Sequence, residues 1–400
     1  MTHLRAILIV LLVLITNSGF GQKPNIILVV ADDLGQQDLA TYGNSFIETP
    51  ELDALASEGT LFTHGYASQP ICSPTRASII TGSYPARVGM TAHLGGSNSA
   101  SSSQEVIPAS SASSIPDSFP AIASMLKSQG YETAHLGKWH TGGSPVQFGY
   151  DLIFGGGALP NTYYYPFFNG NPFPELTTYS NEGDFLTDVL TSRAIDYVTE
   201  KQNESFFLHL NYYAPHVPIE GRNDLVDKYL NKAAQDPNHK FPNPHYAAMV
   251  EGIDNNIGRL VAHLKALNLF ENTLIVFTSD NGALDVEEVP QFAQHTPPVT
   301  NSPLRDGKGY LYEGGTLVPY IFAGHTVSEG LVVETPVISN DFFNTFAVLS
   351  GSGQFTQDGK NIYPLTQGSA IAERNLYWHY PHYSPQRGKP MSTIIAGNYK

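Results

Sequence analysis

The sequence predicts an α/β protein with a mostly parallel sheet covered by helices. Two runs, Asn25-Ile26-Ile27-Leu28-Val29-Val30-Ala31 and Thr273-Leu274-Ile275-Val276-Phe277-Thr278-Ser279, are short, continuous and rich in β-branched residues, the pattern of strands buried on both faces. From about His245 to Leu269, the residues Met249, Ile253, Ile257, Leu260, Leu264 and Leu267 recur at spacings of three and four, one apolar stripe on a long helix that feeds directly into the second run. Helices alternating with buried strands make right-handed crossovers the expected connection.

The first strand run closes on Asp32-Asp33 and the second on Asp280-Asn281. In open α/β sheets ligands bind beyond the carboxyl ends of the strands, so both pairs are expected to face one crevice. Between the two runs lie shorter elements. Thr49-Pro50-Glu51-Leu52-Asp53-Ala54-Leu55-Ala56 has a capping residue, a first-turn proline and early acids, with Gly59 as its stop. Pro74 and the run Ala77-Ser78-Ile79-Ile80 predict a helix that begins at Cys72 to Thr75. Residues 97–114, rich in Ser, Ala and Asn, read as a surface loop or an unstructured insertion. Phe119 to Lys127 reads as a short helix ending near Gly130. The aromatic, glycine-rich stretch from Gly155 to Pro174 is expected to pack onto the core, with a sugar-stacking surface as the alternative. Phe206 to Leu210 is a further apolar strand. Near the end, residues 375–380 and 392–400 look like two strands of a small antiparallel sheet, and the chain stops inside the second.

A chain of 400 residues with 41% hydrophobic composition can bury one large core, with at most a smaller appendage. The excess of 36 Asp+Glu over 21 Lys+Arg argues against nucleic acid as a partner, so any bound anion needs a local basic cluster. Residues 1–21, with Arg5, an apolar run from Ala6 to Ile15 and small residues at Gly19 and Gly21, fit a cleavable export signal too short for a stable membrane span. The expected destination is periplasmic or extracellular.

The strand-end groups Asp32, Asp33, Asp280 and Asn281 offer only oxygen, which suits calcium or magnesium better than zinc. Paired acids also cap helices or sit in solvent; two pairs at two buried strand ends favour a metal. Lys138 and His140 are two apart in Gly137-Lys138-Trp139-His140, so on a strand they point the same way, beside the plainer reading of a solvated edge. His216 is clamped between Pro215 and Val217-Pro218, and Lys308 stands between Gly307 and Gly309, where backbone can approach a ligand. With Arg76 these would form the required basic cluster. Cys72 is the single cysteine, so it cannot form an intramolecular disulfide. At a helix N-terminus its thiolate would be acidic and nucleophilic. A cysteine-phosphatase loop, however, places five residues between Cys and Arg, whereas three separate Cys72 from Arg76.

Cys72-Ser73-Pro74-Thr75-Arg76 followed by Thr81-Gly82 resembles the signature of the formylglycine-dependent sulfatases of the alkaline phosphatase superfamily. The likeness extends in order through Asp32-Asp33, the Thr49-Pro50 helix, Gly137-Lys138-Trp139-His140, Ala214-Pro215-His216, Thr278-Ser279-Asp280-Asn281-Gly282 and Tyr312-Glu313-Gly314-Gly315. Thr75 departs from the commoner serine but keeps the hydroxyl. The resemblance implies a large mixed sheet sandwiched by helices over residues 22–372 and the start of a small antiparallel subdomain over 373–400.

It further implies that a maturation enzyme oxidises Cys72 to formylglycine, whose hydrate attacks sulfur with help from a divalent cation, Ca2+ or Mg2+, on Asp32, Asp33, Asp280, Asn281 and residue 72. His140 would then deprotonate the second hydroxyl to expel sulfate. Arg76 would stabilise the diol, Lys138, Lys308 and His216 would bind sulfate oxygens, and His216 or Lys308 would protonate the departing oxygen. The expected substrate is a sulfated carbohydrate or another sulfate ester. A phosphodiesterase or phosphonate monoester hydrolase of the same superfamily, and a non-catalytic calcium-dependent glycan binder, are the alternatives.

Overall fold

The computed structural model describes residues 23–95, 104–236 and 238–400. The expected leader lies outside them, as does part of the 97–114 stretch, whose described remainder forms no helix or strand. The strands are β1 (Asn25–Ala31), β2 (Gly59–Phe62), β3 (Gly65–Tyr66), β4 (Glu132–Gly137), β5 (Leu152–Phe154), β6 (Phe206–Asn211), β7 (Thr273–Ser279), β8 (Tyr320–Gly324), β9 (Leu331–Val333), β10 (Val337–Ile338), β11 (Leu376–Tyr380) and β12 (Met391–Ile395). Eight of them form one sheet in the order β5-β4-β6-β1-β7-β8-β2-β9. β1 lies between β6 and β7, parallel to both, and β8 runs antiparallel to its neighbours, which makes the sheet mixed.

Side chains alternate across β1, so Ile27, Val29 and Ala31 face one layer while Ile26, Leu28 and Val30 face the other. The first layer holds α1 (Pro50–Ser57), and the second opens with α2 (Cys72–Thr81) and α3 (Ile122–Ser128). The first continues with α4 (Leu186–Glu200), α5 (Asn223–Ala234) and α6 (Pro244–Ala266); α7 (Asp341–Leu349) completes the second. Each fully buried Val, Leu or Ile contributes about 1.5–3 kcal/mol, which is why an uninterrupted apolar run sits at the centre of the sheet.

Two boundaries shift for local reasons. α3 begins at Ile122 rather than Phe119: a proline at 120 disfavours helical backbone at Phe119, and the capping residue Ala121 is extended at φ −116° and ψ 137°. α6 ends at Ala266, and Asn268 at φ 57° turns the chain before a short 3-10 turn, Phe270–Asn272, that leads into β7. The aromatic stretch packs inward as expected: Tyr163 and Phe167 are fully buried, and the partly buried Tyr164, Tyr165, Phe168 and Phe173 lie against the same core.

β11 and β12 pair antiparallel, and their Leu376, Trp378, Tyr380 and Ile395 pack against Ile71, Cys72 and Leu311. The small sheet therefore backs directly onto the start of α2. The second of its strands ends at Ile395, before the last residues, and Ala396 and Tyr399 close a turn by mutual backbone hydrogen bonds.

Candidate active site

The site forms where β1, β4, β6 and β7 end together and α2 begins. Ala31 pairs with Ser279 in the parallel register, so the two polar pairs that follow, Asp32-Asp33 and Asp280-Asn281, are brought side by side. All four side chains are buried. Asp33 N donates to Asp280 Oδ1 at 3.3 Å, and Asn281 Nδ2 donates to Asp33 Oδ1 at 2.8 Å.

α2 delivers two groups. The Thr75 hydroxyl accepts from Gln69 N at 3.1 Å and donates to Gln69 O at 3.0 Å, so the hydroxyl retained at that position ties down the helix start. One turn into the helix, Arg76 Nε donates to Asp280 Oδ2 at 2.8 Å, and Nη1 donates to Lys138 O at 3.2 Å and Asn211 Oδ1 at 2.9 Å. Burial works against the guanidinium charge, but Asp280 and Asp32 outweigh it and hold Arg76 firmly protonated.

Lys138 and His140 reach the site by a route other than the expected strand. β4 ends at Gly137, whose φ of 91° starts a turn where any Cβ would collide with Asn211 O. His140 itself adopts φ 51°. From this turn Lys138 Nζ donates to Asp32 Oδ2 at 2.6 Å, and His140 Nδ1 lies 3.3 Å from Cys72 Sγ while Nε2 lies 3.3 Å from Leu94 O. Burial, then the charges of Lys138 and Arg76, depress the His140 pKa well below the ordinary histidine value, so the ring is neutral.

On the other side Lys308 Nζ donates to Asp33 Oδ2 at 2.7 Å, and His216 Nε2 is 3.5 Å from the same oxygen. His216 Nδ1 is 2.9 Å from Val217 O, which assigns its proton to Nδ1 when the ring is neutral. Burial and Lys308 keep it so, against the pull of Asp33. The Nε2 lone pair then faces a carboxylate oxygen, an arrangement that calls for a cation or a proton between them. For Asp33, burial is outweighed by Lys308, His216 and Lys138, which hold its carboxyl below the ordinary range. Asp32 goes the other way: burial raises it, and Asp280 and Asp33 add to that against Lys138.

The donor set fits a hard divalent cation. Asp32 Oδ1 and Asn281 Oδ1 are buried oxygens without a hydrogen-bond partner among the described residues, as is Arg76 Nη2. Ligand atoms of Asp32, Cys72 and Asp280 lie within 4.8 Å of one another, as do those of Asp32, Asp33 and His216. His216, expected as a sulfate ligand and a candidate proton donor, thus also stands within reach of the cation position. The acidic thiolate expected for Cys72 is corrected: burial raises its pKa, and Lys138 and Lys308 only partly offset this.

All expected site residues converge here. Others went unread in the sequence. Asn211 holds Arg76 from the end of β6, and its signal was available, since a polar residue closing a buried strand is the pattern that singled out Asp32 and Asp280. Tyr163 donates its hydroxyl proton to Tyr213 O at 2.6 Å or His216 O at 3.0 Å, and Tyr246 reaches Asp38 Oδ2 at 2.7 Å and Asp33 O at 3.2 Å. These are aromatic residues from distant segments with no sequence pattern to mark them. A groove of about 790 Å³ lined by Tyr84, Arg87, Tyr377 and His379 contains none of the converging charged groups.

Comparison with known proteins agrees with this geometry. The family described as Sulfatase matches residues 24–352. N-acetylgalactosamine-6-sulfatase of Sus scrofa is 30% identical over 422 residues, covering 98% of this chain and 74% of that protein. A sulfatase of Formosa agariphila is 30% identical over 451 residues, covering 95% and 79%. Among solved structures, Ps i-CgsB in complex with k-i-k-neocarrahexaose superimposes with a TM-score of 0.72 at 31% identity, covering 90% of this chain and 80% of that one.

Proposed function

The chain belongs to the sulfatase family of the alkaline phosphatase superfamily and is a sulfuric ester hydrolase, and from that premise we propose that it cleaves sulfate esters of carbohydrates at a formylglycine made from Cys72. The carbohydrate class is supported by the relatives, one named for N-acetylgalactosamine 6-sulfate and one solved with a neocarrahexaose. The observation that carries the reading is the placement of His140 Nδ1 3.3 Å from Cys72 Sγ, with Asp32 and Asp280 oxygens close to the same sulfur.

The side-chain atom of residue 72 stands in here for the hydroxyl oxygens of the hydrated aldehyde, which supplies both a nucleophile and a second hydroxyl for release of sulfate. A divalent cation, taken as Ca2+ with Mg2+ as the other candidate, would be held by Asp32, Asp33, Asp280, Asn281 and residue 72 and would polarise oxygen there. The chain's own groups do the rest. Neutral His140 accepts the hydroxyl proton. Lys138 and Lys308 present positive charge to sulfate oxygens, and His216 joins them only in a form protonated at Nε2. Of the two candidate donors to the departing oxygen, Lys308 is the one that carries a proton, kept there by Asp33, while His216 is neutral with its Nε2 unprotonated. Arg76 keeps the carboxylates and the start of α2 in register.

The reading also includes export with removal of residues 1–21 and a catalytic unit over 22–372 followed by the small sheet. Among the described residues no helix is long and apolar enough to cross a membrane. The test is the mass of the peptide containing residue 72, from a host that carries the maturation enzyme, alongside turnover of an aryl sulfate. An aldehyde in place of the thiol and loss of turnover in Cys72→Ala are expected. An intact thiol in material that hydrolyses sulfate esters would sink the formylglycine reading, and binding of glycan without any turnover would favour the non-catalytic alternative.

A further inference from the structure

The connection between β11 and β12, residues 381–390, borders the site on the Lys308 side. A Cβ on Gly309 would collide with Ser384 Oγ, and one on Gly388 would collide with Gly309 O, so this segment lies directly on the backbone that carries Lys308. It is pinned along its length. His382 Nε2 is 2.8 Å from Thr91 Oγ1, and the Tyr383 hydroxyl accepts from Glu105 N at 2.8 Å. Gln386 Nε2 donates to Glu288 Oε1 at 2.9 Å, and backbone bonds from Ser384 N to Gly388 O at 2.8 Å and from Arg387 N to Ser384 O at 2.9 Å close a tight turn.

At the tip of that turn stands Arg387, held at φ 74°. Its side chain is exposed and has no hydrogen bond or ion pair among the described residues. Its charge is nevertheless felt by Tyr310, two residues beyond Lys308, whose hydroxyl pKa is raised by burial, Asp306 and Asp285 and only partly lowered by Arg387. In a protein with 36 acidic and 21 basic side chains, this guanidinium stands unpaired among the described residues, on a fixed turn packed against the Gly309 backbone next to Lys308.

We propose that Arg387 is a specificity-determining residue that takes a second anionic group, sulfate or carboxylate, of a substrate whose scissile sulfate lies at residue 72. The planar fork of guanidinium suits either anion bidentately. This rests on the sulfated-carbohydrate reading above. The pinned turn supplies the preorganisation, so the charge is presented without ordering a loop on binding.

The test uses the full chain as wild type, Arg387→Gln and Arg387→Lys. Substrates are an aryl sulfate, a neutral monosulfated disaccharide, a disulfated disaccharide and a monosulfated disaccharide containing a uronic acid. Arg387→Gln is expected to raise KM about tenfold on a doubly anionic substrate with kcat within about threefold, and to lower kcat/KM far less on the two singly anionic ones. Arg387→Lys should recover part of the loss, and added salt should shrink the difference. The disulfated and uronate arms identify which anion is read. Equal losses on all four substrates, or none on either doubly anionic one, overturn the proposal. Should wild type cleave no sulfate ester, the hydrolase reading falls separately. Calorimetric binding of the disulfated disaccharide then decides for Arg387, weaker binding by Arg387→Gln supporting it and equal or absent binding overturning it.

Discussion

Arg76 Nε donates to Asp280 Oδ2 at 2.8 Å, and this buried pair joins the start of α2 to the end of β7. Arg76→Ala would leave Asp280 as a buried charge without its cation, while Asp32 keeps Lys138, a loss of about 3–5 kcal/mol. Urea unfolding should show it directly, together with loss of turnover. Arg76→Lys keeps a charge but cannot make both the Asp280 and Asn211 contacts, so intermediate stability is expected. An unfolding midpoint for Arg76→Ala equal to wild type would show that the pair does not hold the two elements together.

His140 acts as a base only when neutral. Burial and the charges of Lys138 and Arg76 depress its pKa well below 6.5, so the neutral form survives as pH falls through 6.5. The acid limb of the kcat profile attributable to this residue should therefore lie below that value, and His140→Ala should lower kcat by about 10²–10⁴. Unchanged turnover in His140→Ala would remove it from the reaction.

Chelation should destabilise the protein as well as silence it. A cation held by the folded site alone adds about 2.7 kcal/mol when present at 100 times its dissociation constant. Thermal unfolding after treatment with a chelator, then with Ca2+ or Mg2+ restored, reads this effect. Asp280→Asn should weaken the response to either ion. A Tm indifferent to chelator and to both ions would count against the metal reading.

Asp38 is buried, accepts from Tyr246 and Gly35, and its pKa is raised by burial to about 7 despite those bonds. The folded state thus holds this proton more tightly than the unfolded chain, whose carboxyl titrates near 3.8. Its stability contribution is full below pH 3.8 and is lost as pH rises towards 7, with a ceiling of about 4 kcal/mol at 1.36 kcal/mol per pH unit. Asp38→Asn should flatten that slope and gain stability at pH 8. A wild-type slope unchanged in Asp38→Asn would exclude the group.

Much of the site could be read from the sequence because strand ends carry it. Two apolar runs closed by Asp32-Asp33 and Asp280-Asn281 lie on adjacent strands, so local pattern and tertiary position coincide. Lys138 and His140 converge too, but the period-two argument was not the cause. The strand stops at Gly137, and a turn with two positive φ values aims both side chains. Tyr163, Tyr246 and the docking of the 381–390 turn onto Gly309 escaped, since each acts through contacts made from far away along the chain. The raised Cys72 pKa escaped as well: helix-end position argues for an acidic thiol, and only the depth of burial reverses it.

β1 takes Asn211's strand on one side and Ser279's on the other, and it precedes both in the chain. During synthesis its apolar ribbon emerges early and must wait, first for β6 and then, 248 positions after Asp33, for Asn281 to arrive. Pairings this remote are slow to close, and an unpaired strand of that composition is a hazard for association in the meantime. The centre of the sheet is thus completed late, and chains halted before residue 273 would lack any means of completing it.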